Sequence, residues 1–199
     1  MVLRIMLLTG WVLVGLGGVV YHLSAGPEQK ALDEVSGHVK AAEKAAAGED
    51  YAAAAAEYEA ALKDLPAGRT AEGRKIRLER AKAQMLARQL PEAHADLKGL
   101  VDELTADPAA DPKLVTEARS TLANSQYYVT WLMRLEGMPP AEWEPEIEAS
   151  RQGYRLLAEQ AGQKGDAAAA KKHREDLEAA VRLARMDLSE LQGLPLPSQ

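Results

Sequence analysis

Apolar residues recur every three or four positions along most of the chain, and short runs rich in glycine and proline interrupt them. This spacing places apolar side chains on one face of an α-helix, so it predicts amphipathic helices rather than strands. Seven helices are predicted after residue 27, at about 28–47, 51–64, 70–88, 91–104, 112–136, 145–161 and 167–192. Because the connections are short, consecutive helices are expected to run antiparallel and to stack in pairs. The predicted fold class is all-α.

The N-terminus has a different pattern. Residues 5–23 contain no Asp, Glu, Lys or Arg, whereas Arg4 precedes them and Glu28 follows. A helix of this length spans roughly 28 Å, about the thickness of the hydrocarbon core of a bilayer. We therefore expect residues 1–25 to form a single transmembrane anchor. Because basic residues favour the cytoplasmic side, the helical domain is expected on the periplasmic side of a bacterial inner membrane.

Two other interpretations of this segment stay open. It is a cleaved signal peptide if Leu23-Ser24-Ala25 is a processing site, although leucine suits the first of these positions poorly. It is a buried core helix if its four glycines are tolerated in water, where glycine weakens a helix. Under the anchor interpretation the domains are the anchor at 1–25, a helical domain at 28–193 and a tail at 194–199.

A spaced motif surrounds the second predicted helix. It consists of Gly48, Tyr51, Ala54, Tyr58, Ala61, Leu62 and Pro66, and a second copy has Leu90, Ala93, Leu97 and Leu100 at the matching positions. The small Ala54 allows two helices to approach closely, and Tyr58 and Ala61 fall on one face of the helix. This spacing resembles the second half of a tetratricopeptide repeat (TPR), a helix–turn–helix unit of about 34 residues.

The resemblance covers roughly residues 35–105 and implies a short TPR-like α-solenoid of stacked helix pairs. Ala42 and Ala81 are the candidates for the small position in the first helix of each pair. Repeat proteins of this kind hold other proteins in a groove, so the resemblance also implies a protein partner. A continuous coiled coil is the alternative, and the loops that reverse the chain argue against it.

Charge and composition exclude several classes of function. Acidic residues outnumber basic ones by 30 to 24, and a net charge of −6 argues against a nucleic-acid partner, because phosphates bind to basic surfaces. The chain has no cysteine, which excludes disulfides, cysteine-ligated metals and thiol nucleophiles. No phosphate-binding glycine loop is present, and the four histidines fall in different predicted helices. We expect no catalytic residue, no metal site and no cofactor.

Two groups of charged residues are interpreted as solvated helix faces. Glu92, His94 and Asp96 alternate along the chain, which places them on different sides of a helix rather than around a metal ion. Lys164 and residues 171–174 form a basic patch that neighbouring carboxylates neutralise. A metal site at the first group and a site for an anionic ligand at the second are the less favoured alternatives.

Aromatic and amide side chains cluster in and after the fifth predicted helix. Tyr, Trp and Arg dominate the energetics of protein interfaces, so a groove there would suit a partner. We therefore predict a partner-binding site at Asn124, Tyr128, Trp131, Arg134 and Trp143. The alternative is core packing, in which the helix lies between neighbours and the tyrosine hydroxyls bond across to them.

Together these features predict a membrane-anchored extracytoplasmic adaptor or scaffold that catalyses no reaction. Its expected partners are one or more membrane-associated proteins, and the lipid bilayer itself through residues 5–23. The first alternative is a structural accessory subunit of a respiratory or photosynthetic membrane complex. The second is an enzyme whose site uses scattered carboxylates. A repeat fold does not by itself determine a function, so these remain expectations.

Overall fold

The computed structural model describes residues 26–194, and within that range the chain forms eight α-helices and no β-strand. The helices are α1 (Gly26–Ala47), α2 (Tyr51–Asp64), α3 (Thr70–Leu86), α4 (Leu90–Ala106), α5 (Pro112–Leu135), α6 (Pro140–Gln163), α7 (Ala167–Arg185) and α8 (Leu188–Gln192). The all-α content agrees with the spacing of apolar residues.

The membrane span in the predicted fold class requires correction. No helix between Gly26 and Leu194 is both long and apolar enough to cross a bilayer. The physical reason is charge: α5 and α6, at 24 residues each, carry several charged side chains. A single-pass location in the inner membrane is therefore wrong for the described part of the chain. Residues 1–25, where the anchor and its contact with the bilayer were expected, lie outside the described residues, as do residues 195–199.

Helices α1 to α7 each pack mainly against their neighbours in the sequence. Contacts join α1 to α2 and then each helix to the next as far as α7, while α5 also touches α3 and α8. Contacts limited to near neighbours are typical of helical-repeat arrays, in which one unit stacks on the next. The chain therefore has a helical repeat-like all-α fold.

Two helix boundaries differ from the prediction by more than two residues. Helix α6 begins at Pro140 rather than at Pro145, which lies inside it and removes one main-chain hydrogen bond near the first turn. The last predicted helix is divided, because α7 ends at Arg185 and α8 starts after Asp187. The Asp187 carboxylate accepts from the Glu190 amide at 2.8 Å, and the Glu190 carboxylate accepts from the Asp187 amide at 3.0 Å. This capping box starts a new helix where the pattern predicted a continuous one.

Alanines form much of the interface between paired helices. The alanines of the spaced motif and their candidate partners are completely buried, at 0% exposure: Ala42, Ala54, Ala61, Ala81 and Ala93. Tyr58, at 6% exposure, packs in the same core cluster as Ala54 and Ala61. The motif positions thus lie in the core, where small side chains allow helices to approach closely.

Helices α5 and α6 approach each other closely at Ala123. The Ser150 hydroxyl donates a 2.8 Å hydrogen bond to the Ala123 carbonyl, and Ser150 is completely buried. A methyl group placed on Gly153 would lie 3.1 Å from the Ala123 side chain, closer than ordinary van der Waals contact. The glycine therefore sets the distance between these two helices.

Charged residues on α3 and α4 form hydrogen bonds with one another across the two helices. The Asp96 carboxylate accepts hydrogen bonds from Arg77 at 2.9 Å and from Arg80 at 2.8 Å. The Asp96 side chain is only 16% exposed, and His94 is 13% exposed. The interpretation of these two residues as a solvated face is wrong, because α3 and α6 cover the sides of α4 on which they lie.

Candidate functional site

One face of α5 lines a row of three adjoining cavities, which we call the α5 groove. The first, of about 410 Å³, lies towards α1 and α3; the second, of about 510 Å³, lies against α6 and α7; the third, of about 400 Å³, lies between α3 and α7. Neighbouring cavities share Lys113 and Glu117 in one case and Ser120 in the other. These residues recur at helical spacing, so a single face of α5 forms the groove.

Asn124 presents an unpaired amide to the third cavity. The residue is half-buried, and no hydrogen bond joins its side chain to another described residue. Asparagine is an unfavourable residue in the interior of a helix, and it usually bonds back to the main chain when it occurs there. At this position neither helix propensity nor an internal hydrogen bond accounts for it, so its donor and acceptor are available to a ligand.

Tyr154, on α6, forms another wall of the same cavity. It is 5% exposed, and its ring stacks on His173 with the centroids 6.4 Å apart. Burial, assisted by the charge of Asp176, raises the pKa of the Tyr154 hydroxyl far above its usual value, so the group stays protonated. Its hydroxyl has no hydrogen-bond partner within residues 26–194. The cavity therefore offers a second neutral hydrogen-bonding group beside Asn124.

The charges of the α5 groove nearly balance. Five lysines and six carboxylates line its three cavities. Some are already engaged: Lys82 contacts Glu79 at 2.8 Å and Glu117 at 2.5 Å. Asp166 accepts a hydrogen bond from the main-chain amide of Ala169 at the start of α7. A groove of this kind has no strong attraction for either an anion or a cation.

The five predicted site residues divide between the groove and the core. Only Asn124 lines the α5 groove. Tyr128 is 8% exposed and packs in the core cluster of α3, α4 and α5, whereas Trp131, 5% exposed, packs in the cluster formed with α6, α7 and α8. Their burial corresponds to the core-packing alternative, in which α5 lies between neighbours.

Arg134 and Trp143 meet at the end of the molecule that contains α8. The Arg134 guanidinium donates to the main-chain carbonyls of Leu183 and Met186, at the end of α7. It also lies over the Trp143 ring, 4.7 Å from the centroid. A cation that bonds the last carbonyls of a helix caps its C-terminus. Arg134 therefore holds α7 in place, and Trp143, half-buried, covers its side chain.

Several groove residues carry no recognisable signal in the sequence. Ser120, Tyr154 and His173 lie on three different helices, and only packing brings them to one surface. The charge pattern predicts His173 on a basic solvated face, but the residue is buried, at 8% exposure. Its proximity to Tyr154 could be found only from the relative placement of α6 and α7.

His94 forms the arrangement most similar to a catalytic one. Its Nδ1 lies 3.1 Å from the Ser125 hydroxyl, and its Nε2 lies 3.3 Å from a Glu146 carboxylate oxygen. Ser125 is completely buried, however, and its hydroxyl also lies 2.8 Å from the Leu122 carbonyl, so no substrate reaches it. Burial lowers the pKa of His94, and the Glu146 carboxylate partly opposes that shift. The three side chains join α4, α5 and α6 as a structural cluster.

The described part of the chain contains no group of three or more His, Asp or Glu side chains placed to hold a metal ion. A scan against protein-family models and a search of curated proteins find no match to the chain. The α5 groove is therefore assessed on its own geometry.

Proposed function

We propose that this protein is an adaptor or scaffold without catalytic activity and that its α5 groove binds an extended segment of another protein. The observation that carries the proposal is the unpaired amide of Asn124 beside the neutral hydroxyl of Tyr154. An asparagine side chain has one acceptor and two donor hydrogens, which match the N–H and C=O of a peptide group. The main chain of a partner is thus the ligand that these groups suit best.

The balanced charges support recognition of a main chain rather than of charged side chains. With five lysines against six carboxylates, the groove gains little from a highly charged partner. Affinity for the partner should accordingly change little with salt concentration, since screening acts on charge pairs that are separated by water.

We also propose that α1 to α4 are TPR-like pairs. The fully buried alanines at the small positions and the buried Tyr58 support this assignment. Helix–turn–helix arrays use the surface formed by successive units to hold extended ligands. The location of the α5 groove between α3, α5 and α7 agrees with such a surface, because these are alternate helices of the array.

The proposal is tested by panning a phage-displayed library of random peptides on the full chain. Selected peptides are synthesised, and their affinities are measured by fluorescence anisotropy. Asn124→Ala should weaken binding roughly 10- to 100-fold, the equivalent of one or two hydrogen bonds, without lowering the melting temperature. Gln152→Ala is the matched control, because it removes an exposed amide of α6 that lies outside the groove. Equal affinities for wild type and Asn124→Ala would contradict the proposal.

A further inference from the structure

The second cavity of the α5 groove has an apolar floor. Leu157, 1% exposed, and Ala161, 9% exposed, form this floor, and Pro112 and Ala169 contribute further apolar atoms. The cavity has a volume of about 510 Å³, whereas a cavity of about 150 Å³ is enough to hold a benzene ring. A large apolar side chain therefore fits between α5, α6 and the start of α7.

The rim of this cavity carries no net charge. Lys113 and Lys164 are matched by Glu117 and Asp166. His173 also lines the cavity, and its ring stacks on the ring of Tyr154. An ionised side chain would lose hydration on entering this space without gaining an uncompensated opposite charge. The lining therefore favours an uncharged occupant.

The cavity is continuous with the site at Asn124. Ser120 lines both spaces, and it lies one helical turn before Asn124, a distance of about 6 Å along the axis of α5. An extended chain advances about 3.3 Å per residue. A segment whose peptide group is bound at Asn124 can thus place a side chain in the second cavity about two residues away.

We propose that the second cavity is an anchor pocket for one large apolar side chain, Leu, Met, Phe or Trp, of the extended segment that the α5 groove binds. This inference rests on the proposed function and specifies the partner: an uncharged anchor residue about two positions from the peptide group held by Asn124. The floor of Leu157 and Ala161 supplies the contact, and the neutral rim excludes acidic and basic anchors.

Two neighbouring alanines of α7 allow a matched test in the full chain. Ala169 lines the pocket and is half-buried, whereas Ala168 is exposed and does not line it. Ala169→Leu should fill the pocket, and Ala168→Leu adds the same atoms outside it. The probes are a library-selected peptide, the same peptide with its apolar anchor changed to Ala, and one with the anchor changed to Glu. Affinities are measured by fluorescence anisotropy.

We expect Ala169→Leu to weaken binding of the selected peptide roughly 10- to 100-fold, while Ala168→Leu leaves it unchanged. The Ala-anchor peptide should bind wild type weakly and lose nothing further on Ala169→Leu. If Asn124→Ala weakens binding but Ala169→Leu does not, the groove function stands and the anchor pocket is wrong. Tight binding of the Glu-anchor peptide would also overturn the pocket. If no selected peptide responds to Asn124→Ala, both the pocket and the proposed function fail.

Discussion

At the scale of single residues, two glycines of α6 differ in the space around them. Gly153 faces Ala123 at 3.1 Å from the position of an added methyl group, whereas nothing lies within 4 Å of that position on Gly162. Gly153→Ala should therefore destabilise the fold by about 1–3 kcal/mol, because α5 and α6 must separate. Gly162→Ala should stabilise it by up to about 1 kcal/mol through helix propensity.

Urea unfolding of the two α6 variants measures both effects against wild type. The replacement is chemically the same in each case, so the comparison isolates the contact with Ala123. Equal stabilisation by Gly153→Ala and Gly162→Ala would show that the two helices are not in close contact there.

Two histidines should influence stability with opposite dependence on pH. Burial lowers the pKa of His94, an effect that Lys98 reinforces and Glu146 opposes. The unfolded chain therefore binds a proton at His94 more readily than the folded chain does. The stability that neutral His94 contributes is consequently lost as the pH falls from about 6.5 through the pKa of His94 in the folded chain. The pKa of His38 is raised chiefly by its hydrogen bond to Glu57, so its contribution is complete below about 6.5 and is lost as pH rises.

The test is urea unfolding between pH 5 and pH 8 of wild type, His94→Gln and His38→Gln. The stability lost on His94→Gln should be larger at pH 8 than at pH 5, and the loss on His38→Gln should be larger at pH 5. The same pH trend in both variants would contradict the contacts assigned to the two rings.

At the scale of helices, Arg134 couples α5 to the end of α7. The guanidinium bonds two carbonyls there, so Arg134→Ala leaves them without a partner and should cost about 1–3 kcal/mol. Amide hydrogen exchange should accelerate in the last turn of α7 and in α8. Arg182→Ala is the control, because Arg182 is an exposed arginine in the same turn of α7 with no ion pair among the described residues. Unchanged exchange in Arg134→Ala would contradict the capping role.

The sequence predicted most of the helices but not every boundary. Caps such as Asp50, which accepts from the Ala53 amide, and Asp111, which accepts from the Lys113 amide, are local signals and can be read directly. The start of α6 could not be read from the sequence in this way, because Pro145 is tolerated inside the helix once the helix has begun at Pro140. The break before α8 combines a local signal, the capping box of Asp187 and Glu190, with a contact distant in sequence, in which Arg134 of α5 bonds the Met186 carbonyl.

The site was only partly predictable for a related reason. A concentration of aromatic side chains indicates large apolar area, and Tyr128 and Trp131 bury that area in the core rather than offering it to a partner. Asn124, the amide of the predicted set, lines the groove. The remaining lining comes from Tyr154 and His173, whose position depends on how α6 and α7 pack against α5.

At the scale of the whole molecule, a repeat-like array explains why a groove exists. Helices that contact mainly their sequence neighbours leave the faces of alternate helices uncovered, and such faces of α3, α5 and α7 line the third cavity. These faces do not need to be covered for the array to fold, so their side chains are free to serve binding. Asn124, in the middle of α5, gives this surface an amide that is unpaired among the described residues.

The central claim, that the α5 groove binds a polypeptide segment, is tested most directly by hydrogen–deuterium exchange of the full chain with and without a library-selected peptide. The claim predicts slower exchange in residues 113–124 of α5 and 169–176 of α7, and no change on binding in α4, which lines none of the three cavities. The Asn124→Ala variant should show little of this protection at the same peptide concentration. Protection confined to helices outside the groove, or equal protection in wild type and Asn124→Ala, would contradict the claim.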